Sequence, residues 1–321
     1  MRSAVLLALL FTESLLAATG APISEPALVG RPDIIHFEDW EQEDWWKASG
    51  WNGPKPRAEG GWEHPGVTTN LGRVLGATVG APTPGYVLTI NTERGSHVGS
   101  VNPRVSLDAY NLDEAYVRYY FMLNSNMVYF DPDPSSPEYK DGGKLPGLAR
   151  RGPGDTIKCC MAQDYSLPED GAVGWSARFY HWGNRDYPNR RYLSNYVYHL
   201  DDTSDPGSQW PLNGYFAEGV WYCMEQRVKM NTPNQNDGIF ENWIDGEKKH
   251  STTTLRFRSV QANNIGELWF GVYVGGANVA SYSGPYVYFD NLVIAKERIG
   301  CLSPTQPTPI PPPQTFRAIV E

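Results

Sequence analysis

The stretch at residues 174–182 reads GWSARFYHW, and its alternating side chains indicate the fold class of the chain. One side of an extended chain would carry polar and aromatic groups and the other apolar groups, namely Ser176, Arg178 and Tyr180 against Trp175, Ala177 and Phe179. Successive side chains of a β-strand point to opposite faces, so this period of two predicts a half-buried strand. The apolar face would then pack in a core and the polar face would point away from it.

The same alternation recurs on both sides of this stretch. Strands are predicted over residues 34–40, 86–91, 114–123, 192–199, 220–231, 238–244, 267–274 and 286–294. Turn signals such as Asp245-Gly246 and Gly275-Gly276 separate them, and no segment keeps the period of a helix. Many strands without helices bury their apolar faces by packing two sheets together. We therefore predict an all-β protein, an antiparallel β-sandwich of the concanavalin A-like jelly-roll type, over residues 31–300.

The composition agrees with this fold class and argues against several classes of partner. The 321 residues include 32 glycines, 26 prolines and 13% aromatic residues, as in a turn-rich β protein. Lys and Arg number 27 against 36 Asp and Glu, which makes the formal net charge −9. Nucleic-acid binding needs a basic surface, so nucleic acid is not the expected partner. A local basic cleft for an acidic ligand stays compatible with this balance.

The two ends of the chain differ from its body. Residues 1–20 begin Met1-Arg2-Ser3, continue as a short apolar run and end in small residues, as secretory signal peptides do. The run is too short for a comfortable membrane anchor. Residues 301–321 contain PTQPTPIPPPQ, which predicts an extended or disordered tail. We therefore expect a secreted, extracellular monomer with no membrane partner.

Four cysteines fit an oxidising compartment: Cys159, Cys160, Cys223 and Cys301. A bridge between the adjacent Cys159 and Cys160 would be strained, so we expect each of them to bond Cys223 or Cys301 if both bridges form. A zinc site is disfavoured because neither CxxC spacing nor a histidine cluster accompanies them.

Residues 140–151 (KDGGKLPGLARR) form the most unusual segment of the sequence. Three glycines surround Lys144 and Pro146, and glycine allows the backbone to approach a ligand closely. Lys144 would then reach across the floor of a cleft. The ordinary alternative is a surface turn that carries a solvated lysine.

Two other predicted strands carry arginine and tyrosine side chains that could join the polar face of residues 174–182. Tyr196 and Tyr198 share one face of their strand, and Arg118 shares a face of another strand with Tyr116 and Tyr120. Together with the polar face of residues 174–182, these groups would form a wall of Ser, Arg and Tyr side chains. An arginine fork suits the recognition of a carboxylate or phosphate. Taken singly, each residue also has an ordinary structural reading on an exposed strand face.

At this point the sequence resembles a known family. The order GGKLPGL (142–148), WSxRFxxW (175–182) and YxYH (196–199), followed by VKMNTP (228–233), WIDG (243–246) and YFDN (288–291), resembles the jelly-roll polysaccharide lyases of the alginate lyase and glucuronan lyase type, families 14 and 20. The resemblance covers roughly residues 110–294, and KLPG is its most specific motif. Residues 124–138 and 183–191 depart from the pattern, since both look extended.

The resemblance implies an enzyme that breaks the 1,4 bond next to a uronic acid by β-elimination. The residues it places in the active cleft are Lys144, Ser176, Arg178, Tyr196 and Tyr198. In such a reaction a cation must offset the charge of the substrate carboxylate, and Lys144 and Arg178 are the candidates, with Arg118 in support. Tyr198 or His97 would be the base, and Tyr180 would bind substrate beside Tyr196 and Ser176.

Other readings stay open. A non-catalytic carbohydrate-binding jelly roll would keep the cleft without the chemistry. A glycoside hydrolase would need two facing carboxylates, for which Glu225 and Glu241 are the strand candidates. The identity of the uronate polymer and the choice between endo and exo action are also open.

A structural Ca²⁺ between the first and last strands is a further hypothesis. Glu38, Asp39 and Asp290 would supply the oxygen ligands that this ion prefers. The alternative is a surface cluster of ion pairs. The expected reaction itself requires no cofactor.

Overall fold

A computed structural model describes residues 19–43, 45, 51–52, 70–92, 99–101, 103–124, 142–151, 174–183, 190–201, 207–274 and 284–302. Within these ranges the chain is built mainly of β-strands, joined by turns and by short 3₁₀ helices such as Gly76–Thr78 and Asp108–Tyr110. The described residues include no helix that is long and apolar enough to cross a membrane. The all-β class predicted from the alternation is confirmed.

The described strands, in chain order, are β1 (Thr19–Gly20), β2 (Ile34–Glu38), β3 (Trp51–Asn52), β4 (Asn70–Leu75), β5 (Tyr86–Thr92), β6 (Gly99–Val101), β7 (Arg104–Ser106), β8 (Glu114–Leu123), β9 (Gly142–Arg150), β10 (Trp175–Gly183), β11 (Arg190–Tyr198), β12 (Ser208–Ala217), β13 (Trp221–Lys229), β14 (Gly238–Ile244), β15 (Glu247–Leu255), β16 (Glu267–Trp269), β17 (Val272–Val274) and β18 (Gly284–Ala295).

These strands form two sheets. Sheet A has the order β1-β2-β18-β8-β13-β14-β15, with β5 also on β18 and β4 on β5. Sheet B has the order β12-β11-β10-β9-β16-β7-β3, with β17 on β9 and β6 on β17. The short pairing of β1 with β2 is parallel, whereas the other ladders between the described strands are antiparallel.

The hydrophobic core lies between the two sheets and accounts for the alternation in the sequence. Leu268, Leu148, Ala177 and Val197 stand directly opposite one another across four strands of sheet B, and all are fully buried. Side chains of β8 and β18 in sheet A belong to the same buried cluster. Burial of each large apolar side chain contributes about 1.5–3 kcal/mol. Because side chains alternate along a strand, the residues on either side of these core positions in sheet B point away from the core.

The KLPG segment is part of a central strand, β9, and not of a surface turn. Leu145 and Leu148 belong to the core, and the pairing register with β10 shifts beside Pro146, where a bulge accommodates a residue without an N–H. Two side chains from sheet A bond to this irregular backbone. The Tyr119 hydroxyl donates to the Pro146 carbonyl at 3.1 Å, and the Leu148 N–H donates to Oε1 of Gln226 at 3.1 Å.

The fold extends beyond both limits of the predicted domain. At the N-terminal end, β1 pairs with β2, and the Glu25 carboxylate is buried against sheet A. After β18 the chain turns back over sheet A, where the backbone N–H groups of Ile299 and Gly300 donate to the buried carboxylate of Glu225. The Leu302 N–H donates to the Tyr120 hydroxyl. Residues outside 31–300 thus contribute contacts to the sandwich.

The expectation that Cys223 and Cys301 each bond Cys159 or Cys160 is wrong. Cys223 on β13 bonds Cys301, with 6.0 Å between their Cα atoms, although the two are 78 residues apart in sequence. The returning C-terminal segment brings Cys301 onto β13, a long-range contact that the spacing of cysteines cannot reveal. Cys159 and Cys160 lie outside the described residues.

Candidate active site

Side chains that stand opposite one another on neighbouring strands form rows across sheet B. They lie on the face of the sheet that is turned away from the core, which we call the site face. One row consists of Arg104, Trp269, Gly147, Arg178 and Tyr196. The next row consists of Ser106, Glu267, Ala149, Ser176 and Tyr198. On the other side of the first row, Lys144 stands opposite Tyr180. The site face therefore gathers six predicted site residues, namely Lys144, Ser176, Arg178, Tyr180, Tyr196 and Tyr198.

Two cations of the site face lie close to the ring of Tyr196. The Lys144 Nζ is 4.2 Å from the centroid of that ring, and the guanidinium carbon of Arg178 is 5.9 Å from it. Arg178 also lies 3.9 Å from the centroid of the Trp269 ring, an arrangement that aligns the guanidinium by a cation–π contact. Both positive charges are thus held beside one phenol.

The hydroxyls of Tyr196 and Tyr198 are hydrogen-bonded to each other at 2.9 Å. Burial raises the pKa of Tyr196 well above the usual range, the hydrogen bond with Tyr198 raises it further, and Arg178 opposes the shift. Tyr196 therefore keeps its proton near neutral pH and can donate it to the oxygen of Tyr198. Gly207 covers the Tyr198 ring, since a Cβ atom there would lie 3.0 Å from a ring carbon.

Ser176 completes this part of the site face. It stands directly opposite Tyr198 in the β10–β11 ladder, and its side chain is fully buried. Its hydroxyl oxygen makes no hydrogen bond to any residue within the described ranges. A buried hydroxyl without a partner costs free energy, so a bound ligand could supply the missing bond.

Gly147 has its own structural role in the site. A Cβ atom at this position would lie 2.0 Å from the Ala177 carbonyl oxygen and 2.8 Å from the Arg178 Cα. Only glycine therefore allows β9 to approach β10 this closely, and that approach sets the separation of Lys144 and Arg178. The glycine of KLPG acts through backbone packing.

Trp269 is a residue of the site face that the sequence motifs did not predict. It is 8% exposed and belongs to one buried cluster with Tyr196 and Tyr198. The alternation of residues 267–274 would have put it on the face of Glu267, opposite the core-facing Leu268. Its place beside Arg178 depends on the pairing of β16 with β9, which is not visible in the sequence.

The placement of Arg118 in the cleft is wrong. Arg118 belongs to β8 in sheet A, and its fully buried guanidinium forms an ion pair with Glu25 at 2.6 Å. It also lies 4.9 Å from the ring centroid of Tyr120. The alternation assigned Arg118 to a polar face correctly, but that face belongs to the other sheet. His97, the second candidate base, lies outside the described residues.

The two carboxylates considered for a hydrolase also lie in sheet A. Glu225 is fully buried and accepts hydrogen bonds from the C-terminal segment. Although burial opposes the shift, hydrogen bonds from Lys248, Arg227 and Ser251 hold the pKa of Glu241 below its usual range. Both carboxylates are thus engaged structurally, away from the site face.

The three predicted calcium ligands do not form a metal site. Glu38 accepts a hydrogen bond from the Trp40 N–H, Asp39 from the Ser24 hydroxyl, and Asp290 from the hydroxyl of Thr83. Across the described part of the chain, no group of three or more His, Cys, Asp or Glu side chains is arranged to hold a metal ion. At least one oxygen of each carboxylate thus accepts a hydrogen bond from a neighbouring donor, while Oδ1 of Asp290 is buried without a hydrogen-bond partner among the described residues.

Solved structures of known lyases are similar to this chain. The alginate lyase Aly36B in complex with an alginate trisaccharide has a TM-score of 0.52 at 19% identity, over 72% of this chain and 98% of that one. A complex of Aly36B with an alginate tetrasaccharide has a TM-score of 0.50 at 21% identity, over 67% and 82%. The marine PL-14 alginate lyase from Aplysia kurodai has a TM-score of 0.49 at 19% identity, over 72% and 87%.

The two similarities to Aly36B bear out the jelly-roll prediction at the level of the fold. No curated protein matches the sequence. The family model described as Polysaccharide lyase 14 matches residues 81–292, which span most of the described sandwich and all the strands that carry the site face residues named above. The chain therefore belongs to polysaccharide lyase family 14 and is a polysaccharide lyase.

Proposed function

We propose that this lyase is secreted and cleaves a uronic-acid polymer of the alginate or glucuronan type by β-elimination on the site face. The observation that carries the proposal is the placement of Lys144 and Arg178 beside the hydrogen-bonded pair Tyr196 and Tyr198. Membership of the family, and a fold shared with an alginate lyase that binds alginate oligosaccharides, support this substrate class.

Lys144 and Arg178 would offset the negative charge that builds up during the reaction. The C5 proton of a uronate is poorly acidic while the adjacent carboxylate is charged, because its removal adds a second negative charge. Positive groups fixed beside that carboxylate stabilise the enolate-like intermediate without rearranging during the reaction. Lys144 and Arg178 perform this task in the proposal, and Ser176 donates a hydrogen bond to the sugar.

The tyrosine pair then supplies the proton transfers. Tyr196 stays protonated and donates to the Tyr198 oxygen, which favours the phenolate form of Tyr198. The Tyr198 phenolate takes the C5 proton, a double bond forms between C4 and C5, and the C4–O4 bond breaks. The departing O4 takes a proton from the Tyr198 phenol, so the proton gained from C5 is returned and Tyr198 is regenerated.

The test is a panel of alginate, mannuronate and guluronate blocks, glucuronan and a neutral glucan. We expect an ultraviolet absorbance rise on at least one polyuronate, because the product carries a carbon–carbon double bond conjugated with its carboxylate. New reducing ends without that absorbance would indicate hydrolysis. Measurable binding without either signal would indicate a non-catalytic sugar-binding protein. Either result would overturn the proposed reaction.

Secretion is tested separately by expressing the full chain in a secreting host and determining the N-terminus of the protein in the medium. We expect cleavage close to Ala18–Ala21, as the small residues there predict. Retention of the uncleaved chain inside the cells would contradict this part of the proposal and leave the reaction unaffected.

A further inference from the structure

A cavity lined by three arginines adjoins the row that carries Arg178. Its volume is about 180 Å³, and its lining includes Arg104, Ser106, Asp108, Arg150, Arg151 and Glu267. These residues come from β7, the end of β9, β16 and the turns that adjoin them. None of the three arginines has a role in the reaction proposed above.

One indole ring connects this cavity with the proposed reaction site. The Trp269 ring has the guanidinium carbon of Arg178 at 3.9 Å from its centroid and that of Arg151 at 5.3 Å. Arg104 stands directly opposite Trp269 in the β7–β16 ladder. The cavity therefore lies next to the site face in the direction across the strands. The Trp269 ring lies between it and Arg178.

Carboxylates of the described residues hold the arginines of the cavity in place. Glu267 bonds Arg151 at 3.0 Å and approaches Arg104 at 3.5 Å, while Asp108 bonds Arg150 at 2.6 Å. Among the described residues that line the cavity, three positive groups face two negative groups, and the Asp108 side chain is 66% exposed, so solvent screens its charge. Side chains fixed before binding lose less entropy when a ligand arrives.

We propose that this cavity is a second carboxylate subsite, which binds the acid group of a uronate unit next to the unit at the reaction site. The inference rests on the proposed function, because it assumes a polymer with acid groups on successive units. Arginine suits the task, since its planar guanidinium can bond both oxygens of a carboxylate. The subsite would make the enzyme select polymers that are acidic at both positions.

Kinetics of two variants test the subsite. We expect Arg104→Gln and Arg151→Gln each to raise KM on the polyuronate that is turned over by roughly tenfold, as for the loss of one charge-assisted hydrogen bond. The value of kcat should stay within about twofold, because an interaction made equally in ground and transition states affects binding alone. Arg31→Gln is the matched control, since Arg31 is similarly half-buried and bonded to Asp33 but lies just before β2 of sheet A, in another part of the chain. An unchanged KM in both variants would overturn the subsite.

A binding experiment keeps the test independent of turnover. The wild-type protein should be retarded in a native gel that contains alginate, and less retarded by the propylene glycol ester, which lacks the free carboxylates. Loss of the alginate retardation in Arg104→Gln and Arg151→Gln supports the subsite even if the absorbance panel fails. Undiminished retardation in both, with turnover intact, rejects the subsite and leaves the proposed reaction standing.

Folding of the variants is checked by thermal denaturation. If the glutamine variants fail to fold, Arg151→Lys keeps the charge and most of the stem but cannot bond two oxygens in a fork. We expect this variant to fold and to show a KM between those of the wild type and an uncharged variant. A wild-type KM would show that bidentate recognition does not occur at Arg151, which contradicts the proposal.

Discussion

At the scale of single residues, the proposed reaction gives different tasks to two phenols of the same hydrophobic cluster. Tyr196 is 3% exposed and Tyr198 is 6% exposed, so burial alone does not separate them. The difference between the two tyrosines comes from the groups around them. Lys144 lies over the ring of Tyr196, and the Tyr196 hydroxyl faces the Tyr198 oxygen. Burial and the hydrogen bond with Tyr198 raise the pKa of Tyr196, so in the proposed reaction Tyr196 stays the donor and Tyr198 exchanges its proton with the substrate.

Removal of either reacting group should reduce turnover without unfolding the protein. We expect Tyr198→Phe and Lys144→Ala to lower kcat by roughly 10²–10⁴-fold, the usual contribution of a proton-transfer group or a charge-stabilising donor. The measurement is the initial rate of the ultraviolet absorbance rise. Tyr86→Phe, a half-exposed tyrosine of sheet A, should keep the full rate. A variant with the wild-type kcat would remove that residue from the mechanism.

Tyr196→Phe tests the donor role by its effect on pH dependence. A hydrogen bond donated to a phenolate stabilises the charged form and lowers the pKa of that phenol. Without the donor, the pKa of Tyr198 rises, so Tyr198 stays protonated up to a higher pH. We expect the rising limb of kcat/KM against pH to move upward by about one unit. An unmoved limb would mean that Tyr196 does not act through Tyr198.

At the scale of the strand, β9 is the element on which the site depends, because it carries Lys144 and also separates β10 from β16. Its sequence is unfavourable for a strand, since it contains glycines and a proline. Burial overrides this preference. Leu145 and Leu148 lie in the core, and side chains from sheet A satisfy the irregular backbone around Pro146. A motif that looks like a flexible loop is therefore a fixed central strand.

Gly147→Ala should disturb this strand through backbone packing. The added methyl group would lie 2.0 Å from the Ala177 carbonyl oxygen, so β9 must move away from β10. We expect a loss of about 1–3 kcal/mol in the free energy of unfolding and a large fall in kcat, because overpacking shifts the backbone that carries Lys144. Denaturant unfolding and the absorbance assay measure the two effects.

Gly246→Ala is the control for that change. Gly246 has a positive φ but no atom within 4 Å of a Cβ, so alanine there adds conformational strain without a clash. We expect a stability loss of about 1 kcal/mol and full activity, because the turn lies in sheet A. Wild-type activity in Gly147→Ala would show that the close approach of β9 to β10 is dispensable.

At the scale of the whole molecule, one sheet carries the proposed chemistry and the other is secured by the two ends of the described chain. Glu25 neutralises Arg118 on one part of sheet A, and the C-terminal segment is held on another part by Glu225 and by the bond between Cys223 and Cys301. These contacts stabilise the sandwich without approaching the site face. The contacts that secure the two ends of the described chain therefore use other residues than the proposed site.

Buried histidines make the stability of the whole sandwich depend on pH. Burial lowers the pKa of His181 on β10 to about 4, and its ring nitrogens have no hydrogen-bond partner among the described residues. The unfolded chain binds a proton at this histidine below pH 6.5, while the folded chain stays neutral down to about pH 4. The stability that depends on neutral His181 is therefore fully present above pH 6.5 and is lost as the pH drops towards 4, whereas buried Asp290, whose pKa burial raises to about 7, acts in the opposite direction.

We expect His181→Leu to remove most of the stability loss that His181 causes between pH 6.5 and pH 4. That loss is about 3 kcal/mol in the free energy of unfolding. His36→Leu on β2 should act in the same direction, since burial lowers the pKa of His36 to about 3. Denaturant unfolding at a series of pH values measures the slope. A His181→Leu variant with the wild-type slope would show that acid destabilisation arises elsewhere.

Local pattern predicted a good part of this molecule. The bounds predicted for β8 and β14 coincide with those of Glu114–Leu123 and Gly238–Ile244, and the two faces of β10 are assigned as the structure has them. The prediction succeeded in these places because a strand's alternation is a property of its own backbone pleat. It failed where glycine and proline hid a buried strand, at β9, and where residues 267–274 divide into β16 and β17.

The amino-acid order alone was enough to establish the all-β class, the side of each strand that Ser176, Arg178, Tyr196 and Tyr198 occupy, and the family resemblance. The pairing of strands had to be known before Arg118 could be assigned to sheet A, Trp269 placed beside Arg178, or Cys301 matched with Cys223. Which face a side chain takes follows from its immediate neighbours along the chain. Which strand lies alongside depends on how distant segments pack, and no local pattern encodes that.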